Sequence, residues 1–410
     1  MRKLPGFFIF SGLLLLSSCF SSRNAITPQR TPVIDPIQIE LDTSKNITFA
    51  DTVPVDTLQS LASDIAHVQV IDDQESNNEA IIPKIDTLCI IGTGDIMPGT
   101  NYPDERFLPP GNNCQKLFAP VAEILGSGDV TFGNLEGVFC PEGGEAKKCK
   151  DPSVCYVFRM PDDYLNCILD AGYDVLSVAN NHVNDFGVEG RISTAKLLKE
   201  AGVPFAGFQS FPSTTFQKDG VSYGFAAFSP HTGTMSLKDY EGAAAIVAGL
   251  DSLCDVVIIS LHGGAEGKDH QHVPCTDEEY LGYNRGNVCK FAHSVIDAGA
   301  DIVFGHGPHV IRAMELYKER LICYSLGNFC TYARFNLSGP NGLAPIVKVY
   351  TDHEGRFLEG KIISAMQLGE GGPRPDPSNN AVQKFRELTE TDFPETNLLI
   401  QNDGRFSRKN

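Results

Sequence analysis

The chain has 410 residues, 42% of them hydrophobic, and no tryptophan, which is enough to bury one large core or two moderate ones. A formal net charge of −18 excludes nucleic-acid binding through a basic surface. It would also repel a polyanionic ligand unless a bound cation or a local basic patch intervened.

The first residues read as a targeting signal. Arg2 and Lys3 precede an apolar run over residues 7–16 that is too short to span a bilayer. Leu16-Ser17-Ser18-Cys19 then resembles a bacterial lipobox. That resemblance implies a signal over residues 1–19, a lipidated N-terminal Cys19, and an exported lipoprotein held to a membrane by its acyl chains, periplasmic or at the cell surface. Residues 20–84 carry many Thr, Ser, Pro, Asp and Gln without a sustained period and read as a flexible tether.

A globular domain is expected over 85–370. Residues 87–92 form an apolar strand leading into Gly94-Asp95-Ile96-Met97. Helical spacing follows over 117–125, then a strand over 130–132 running into Asn134-Leu135-Glu136. A helix over 162–171 is closed by Gly172. A strand over 173–178 runs into Asn180-Asn181-His182 and Asp185, and a helix over 188–201 is closed by Gly202. Strands over 203–207 and 223–228 and a helix over 240–250 precede a β-branched strand over 256–261, which ends at His262-Gly263-Gly264-Ala265-Glu266. A helix over 287–298 feeds the apolar run 300–304, and Gly305-His306-Gly307-Pro308-His309 leaves that strand on a sharp turn. After a strand over 321–324 and Ser325-Leu326-Gly327-Asn328-Phe329 comes a hairpin over 346–350 and 357–363. Residues 371–410 read as a C-terminal tail with one amphipathic helix near 383–389. Strand–helix alternation over this length argues an α/β fold.

Twelve cysteines are present. Cys140, Cys149 and Cys155 cluster in one Gly/Lys-rich loop, and Cys275 and Cys289 flank another insertion-like stretch. Disulfide staples are the first reading and a zinc knuckle the second, since no Cys-x2-Cys pair occurs. Cys89, Cys167, Cys254 and Cys323 lie in apolar runs and read as buried small hydrophobes.

Asp95, Glu136, Asn181, His182, His262, His306 and His309 all follow apolar strands, so one sheet rim would collect them. Each has a bland reading alone, as a turn residue or a satisfied core histidine. Together, carboxylate, amide oxygen and imidazole suit one or two divalent ions such as Mn, Zn, Fe or Mg.

The ordered motifs Gly94-Asp95-Ile96-Met97, Asn134-Leu135-Glu136, Ala179-Asn180-Asn181-His182 with Asp185, His262 with Gly264 and Glu266, Gly305 to Val310, and Tyr324 to Phe329 resemble those of CapA-type poly-γ-glutamate synthesis proteins. These belong to the calcineurin-like metallophosphoesterase superfamily. The resemblance implies a four-layer α/β sandwich of two mixed β-sheets flanked by helices. It implies metal contacts from Asp95, Glu136, Asn181, His262 and His306, with His309 close by. It gives His182 as the proton donor to a leaving group, and Asp185 and Glu266 as partners orienting ring N–H groups. The chain departs from the pattern at Met97, where typical phosphoesterases carry a metal-binding His, and at Gly263, where the branch carries a Trp. Loss of that Trp is expected to open one wall of the cleft. The implied activity is metal-dependent hydrolysis of a phosphoester or a γ-glutamyl or cell-envelope polymer. The alternative is a non-catalytic, lipid-anchored subunit of a polymer-handling complex that uses its metal as a cationic clamp.

Overall fold

The computed structural model describes residues 87–149 and 155–409. Cys19, the signal segment and the tether lie outside the described residues. No described helix is long and apolar enough to cross a membrane.

Two mixed sheets pack face to face. The larger has nine strands and is built around Leu88–Met97, buried along its whole length. On one side that strand pairs in parallel with Val130–Leu135, followed by Val175–Ser177 and Phe205–Ala206. On the other it pairs antiparallel with Ile346–Thr351, then Phe357–Ile363 and the two C-terminal strands Arg405–Arg408 and Leu398–Ile400. Asn328–Thr331 runs parallel beside its last residues. The second sheet has six strands, in the order Met314–Tyr317, Arg320–Cys323, Ile302–His306, Val256–His262, Val221–Phe228, Ser213–Lys218.

Apolar residues fill both faces of the Leu88–Met97 strand, as expected of a strand covered on both sides. Ile90 turns to the inter-sheet core with Val130, Phe132, Phe225, Ile258 and Phe304. Ile91 turns to the outer core, where the helices Tyr164–Asp170 and Gly187–Glu200 contribute Leu165, Ile168, Ala195 and Leu198. The helices Tyr240–Asp251 and Val288–Asp297 cover the far face of the six-stranded sheet. The result is four layers: helices, sheet, sheet, helices. Between the sheets the Phe132 and Phe304 rings stack with centroids 5.3 Å apart. A Cβ at Gly92 would sit 2.3 Å from the Phe304 ring, so a glycine is what lets the sheets close here.

Three sequence expectations change, and the expected disulfide staples are present. The helical spacing over 117–125 resolves into two short helices, Gln115–Phe118 and Ala122–Leu125, because Pro120 interrupts the run. Cys167 is not a free small hydrophobe but is disulfide-bonded to Cys114. Cys149–Cys155 and Cys275–Cys289 are loop staples, while Cys140 stays free and buried. The last forty residues do not hang from the domain: helix Asn380–Asp392 buries Val382, Phe385 and Leu388, and the two strands after it extend the large sheet.

Asp376 fixes the start of this C-terminal helix. Burial pushes its carboxyl up, but donors from Asn380 N–H (2.8 Å), Ser378 N–H (3.0 Å) and Ser364 Oγ (3.0 Å) outweigh that and hold it below the usual range. A folded pKa below the unfolded value near 3.9 means the contribution is complete above about pH 4 and is lost as pH falls through the folded value. Asp376→Asn should therefore lower the melting temperature at pH 7 and flatten the acid limb of a melting-temperature-against-pH curve. Gly92→Val should cost about 1–3 kcal/mol in urea unfolding, since a side chain there overpacks the inter-sheet core.

Candidate metal centre

Parallel strands place their carboxyl ends on one rim, and both sheets deliver ligand-type side chains there. Asp95 lies in register with Asn134 and Asn328, and its N–H donates to the Gly327 carbonyl at 2.9 Å. A Cβ on Gly94 would come within 2.0 Å of that same oxygen, so only glycine permits the approach. Asn134 bridges two carboxylates through Nδ2, donating to Asp95 Oδ1 at 2.8 Å and Glu136 Oε2 at 2.5 Å. Asn180 donates in turn to the Asn134 Oδ1 (3.2 Å) and the Leu135 carbonyl (2.8 Å), tying the Asn181-His182 loop to the same point.

From the second sheet, His262 and His306 end neighbouring strands and are paired in register. Gly307, at φ 112, then turns the chain back beneath His262. His309 returns so that its Nδ1 lies 2.8 Å from Asp95 Oδ2, while His306 Nδ1 lies 3.2 Å from Oδ1. The carboxylates of Asp95 and Glu136 and the His262 ring offer ligand atoms within 4.8 Å of one another, all buried.

Burial raises the Asp95 carboxyl, but the His306 and His309 hydrogen bonds and charges overcome this and keep it ionised far below the usual range. For His309, burial opposes the charge, and the contact with Asp95 lifts it to about 10. Glu136 goes the other way: burial, and then the Asp95 charge, push it well above its ordinary value. Burial likewise drives His262 well below the usual imidazole range.

The divalent ion implied by the resemblance fits these residues. Glu136 Oε1, Asn181 Oδ1, both ring nitrogens of His262 and Nε2 of His306 are buried with no hydrogen-bond partner among the described residues. Leaving such groups unsatisfied costs about 1–3 kcal/mol each. Their oxygen and nitrogen chemistry is that of a hard-to-borderline cation.

His182 stands beside this cluster, its Nε2 4.0 Å from Glu136 Oε1. Asp185 Oδ2 takes its Nδ1 at 2.7 Å, which fixes the proton on Nδ1 and leaves Nε2 with a lone pair. Phe158 stacks on the ring at 4.2 Å. Burial lowers the His182 pKa, against the pull of Asp185.

Glu266 does not orient a histidine directly. Its Oε1 pairs with Arg285 Nη2 at 2.7 Å. Met97 is fully buried and packs in the outer apolar cluster, so its thioether is not directed at the carboxylates. The absence of a Trp at 263 does not open the wall either: a Cβ there would meet Leu237 at 2.8 Å and the Arg285 carbonyl at 3.0 Å, because a hairpin occupies that side.

Sequence reasoning missed three residues at the centre. Lys147 Nζ reaches Asp185 Oδ1 at 2.6 Å from the stapled loop. Arg285 comes from the hairpin Glu278–Tyr280 and Tyr283–Gly286. His231 follows the strand Val221–Phe228, and its position just after an apolar run was the same signal that marked the others.

Glu136→Ala and His262→Ala should each cut the metal:protein mole ratio of purified protein by more than tenfold in elemental analysis. Chelator should lower the melting temperature of wild type, since a ligand that binds the folded state stabilises it, and should leave those variants unmoved.

The chain is 25% identical over 353 residues to a capsule biosynthesis protein CapA of Bacillus anthracis, covering 79% of each chain. It is 26% identical over 335 residues to a PGA biosynthesis protein CapA of Bacillus subtilis, covering 76% of this chain and 81% of that one. A solved 5′-nucleotidase precursor from Thermus thermophilus aligns over 73% of this chain and 58% of its own at 12% identity, with a TM-score of 0.37. The family model described as bacterial capsule synthesis protein PGA_cap matches residues 89–333, and the chain belongs to that family.

Proposed function

We propose that the protein is a metal-dependent hydrolase of the cell envelope, acting on a phosphoester or on a γ-glutamyl or other envelope polymer, and held to a membrane by a lipid on Cys19. The observation that carries this reading is the convergence of ligand atoms from Asp95, Glu136 and His262, all buried and within 4.8 Å of one another, beside Glu136 Oε1, Asn181 Oδ1, both His262 ring nitrogens and His306 Nε2, which have no hydrogen-bond partner among the described residues. A divalent ion there supplies Lewis-acid polarisation of a phosphoryl or carbonyl oxygen and lowers the pKa of water.

The chain's own residues do the rest. Asn134 holds the two carboxylates at a fixed separation. Phe158 walls off one face of His182. His182, with Nδ1 committed to Asp185, has Nε2 free to take a proton and return it to the departing oxygen or nitrogen. Lys147 neutralises the outer oxygen of Asp185 and so limits how far that carboxylate can raise the imidazole.

A second reading is favoured by Met97. With a thioether in place of a ligand, one of two metal positions loses a contact, which suits a cationic clamp for a polymer better than two-metal chemistry. In that case a polymer-assembly complex would be the partner.

His182→Ala should keep the wild-type metal content and lose about 10²–10⁴-fold in turnover, measured across phosphomonoester, phosphodiester and γ-glutamyl substrates. Full metal occupancy with no turnover on any of them in wild type would favour the clamp.

A further inference from the structure

His231 lies where the second sheet meets the centre. Its strand runs parallel to the His262 strand, with Phe228 paired to Leu261, and the ring sits edge-on to His262 with centroids 5.9 Å apart. The loop that carries it is tied to the His182 loop, because the Asn184 side chain donates to the Thr232 carbonyl. His231 therefore lies beside the ligand His262, on a loop bonded to the one that carries the proton-carrying His182.

Its chemistry is set from behind. Arg285 Nη1 lies 3.0 Å from His231 Nε2, and Arg285 Nη2 lies 2.7 Å from Glu266 Oε1. A guanidinium has only donors. Nε2 must therefore accept, and the ring proton must sit on Nδ1. Arg285 has little freedom to release it: its side chain is only 7% exposed, and the hairpin is held by the Cys275–Cys289 disulfide and by the buried pair of Glu278 with Arg312. Among the described residues no hydrogen bond reaches His231 Nδ1, and the ring is part-exposed.

We propose that His231 is a substrate-contacting residue whose Nδ1–H donates to an oxyanion, a phosphoryl or carboxylate oxygen, held at the metal centre. Arg285, braced by Glu266, is the positioning residue that fixes the ring's tautomer. The contact rests on the metal-centre reading; the tautomer does not. A fixed neutral donor selects acceptor oxygens and rejects N–H groups, so the site would take the anionic end of its substrate on this side. It also gives Glu266 its role: it orients an imidazole through one intervening guanidinium.

The test uses the full chain, metal-free and zinc-loaded, with long-range ¹H–¹⁵N spectra of the histidine rings and titration with inorganic phosphate and, separately, glutamate. The signal of His231 is identified by its loss in His231→Ala. The expected result is an Nδ1–H tautomer at neutral pH in both states, with a shift on adding one of the two probes to zinc protein; whichever probe shifts it names the anion. Arg285→Gln should give a tautomer mixture and Arg285→Lys should restore Nδ1–H, which a merely structural role would not do. His231→Ala should bind that probe about tenfold more weakly at unchanged zinc content, the worth of one hydrogen bond to a charged group. An Nε2–H or doubly protonated ring in wild type, or equal affinity of wild type and His231→Ala for both probes, would overturn the proposal. If wild type takes up no zinc, the metal reading falls and takes the oxyanion contact with it, while an Nδ1–H ring in the same sample shows that the Arg285 brace is sound.

Discussion

Two carboxylates with no exposed surface share one amide. Asp95 and Glu136 both touch Asn134 Nδ2, in an interior where burial penalises either charge. The chain resolves the conflict unequally. Asp95 keeps its charge because two imidazoles hydrogen-bond to it, and Glu136 is driven toward its neutral form. A cation would reverse that second outcome, since it favours both carboxylates ionised and also satisfies the bare nitrogens of His262 and His306. The glycine at 94, the parallel strand ends and the turn at Gly307 all serve to bring these groups within reach of one point.

Much of this was legible in the chain. Apolar runs that stop abruptly at Asp, Glu, Asn or His mark strand ends, and parallel strands gather such ends. That reasoning placed Asp95, Glu136, His262, His306 and His309 together. It fell short where position depends on loops. Lys147 and Arg285 sit on segments whose course is set by disulfides and by the buried Glu278–Arg312 pair, and neither leaves a periodic trace. Glu266 sits one contact further from a histidine than its place in the sequence suggests, because an acid shortly after a His looks like its partner until an arginine from elsewhere intervenes. Cys167 was hidden by its apolar neighbours. The C-terminal strands Leu398–Ile400 and Arg405–Arg408 are too short for an alternation to register.

The two stapled loops share a purpose. Each carries one cation to one acid beside the centre: Lys147 to Asp185, and Arg285 to Glu266. Each acid in turn governs a histidine, His182 directly and His231 through the guanidinium. On a chain with a net charge of −18 these are not a general basic patch. They are two local corrections of sign, placed where an anionic group would otherwise meet repulsion.

The strand Leu88–Met97 takes its neighbours from far along the chain: Val130–Leu135 on one side, Ile346–Thr351 and Asn328–Thr331 on the other. Asp95 and His309 are 214 positions apart. Loop-closure entropy must be met before such pairings bring any reward, so this topology folds slowly and late. A nascent chain ending before residue 346 would expose one edge of its central strand along the stretch that Ile346–Thr351 covers, an invitation to pair with another copy. The geometry that assembles the centre thus leaves the growing polypeptide with an unpaired strand edge until Ile346–Thr351 has emerged, which is the kind of surface on which partly made chains aggregate.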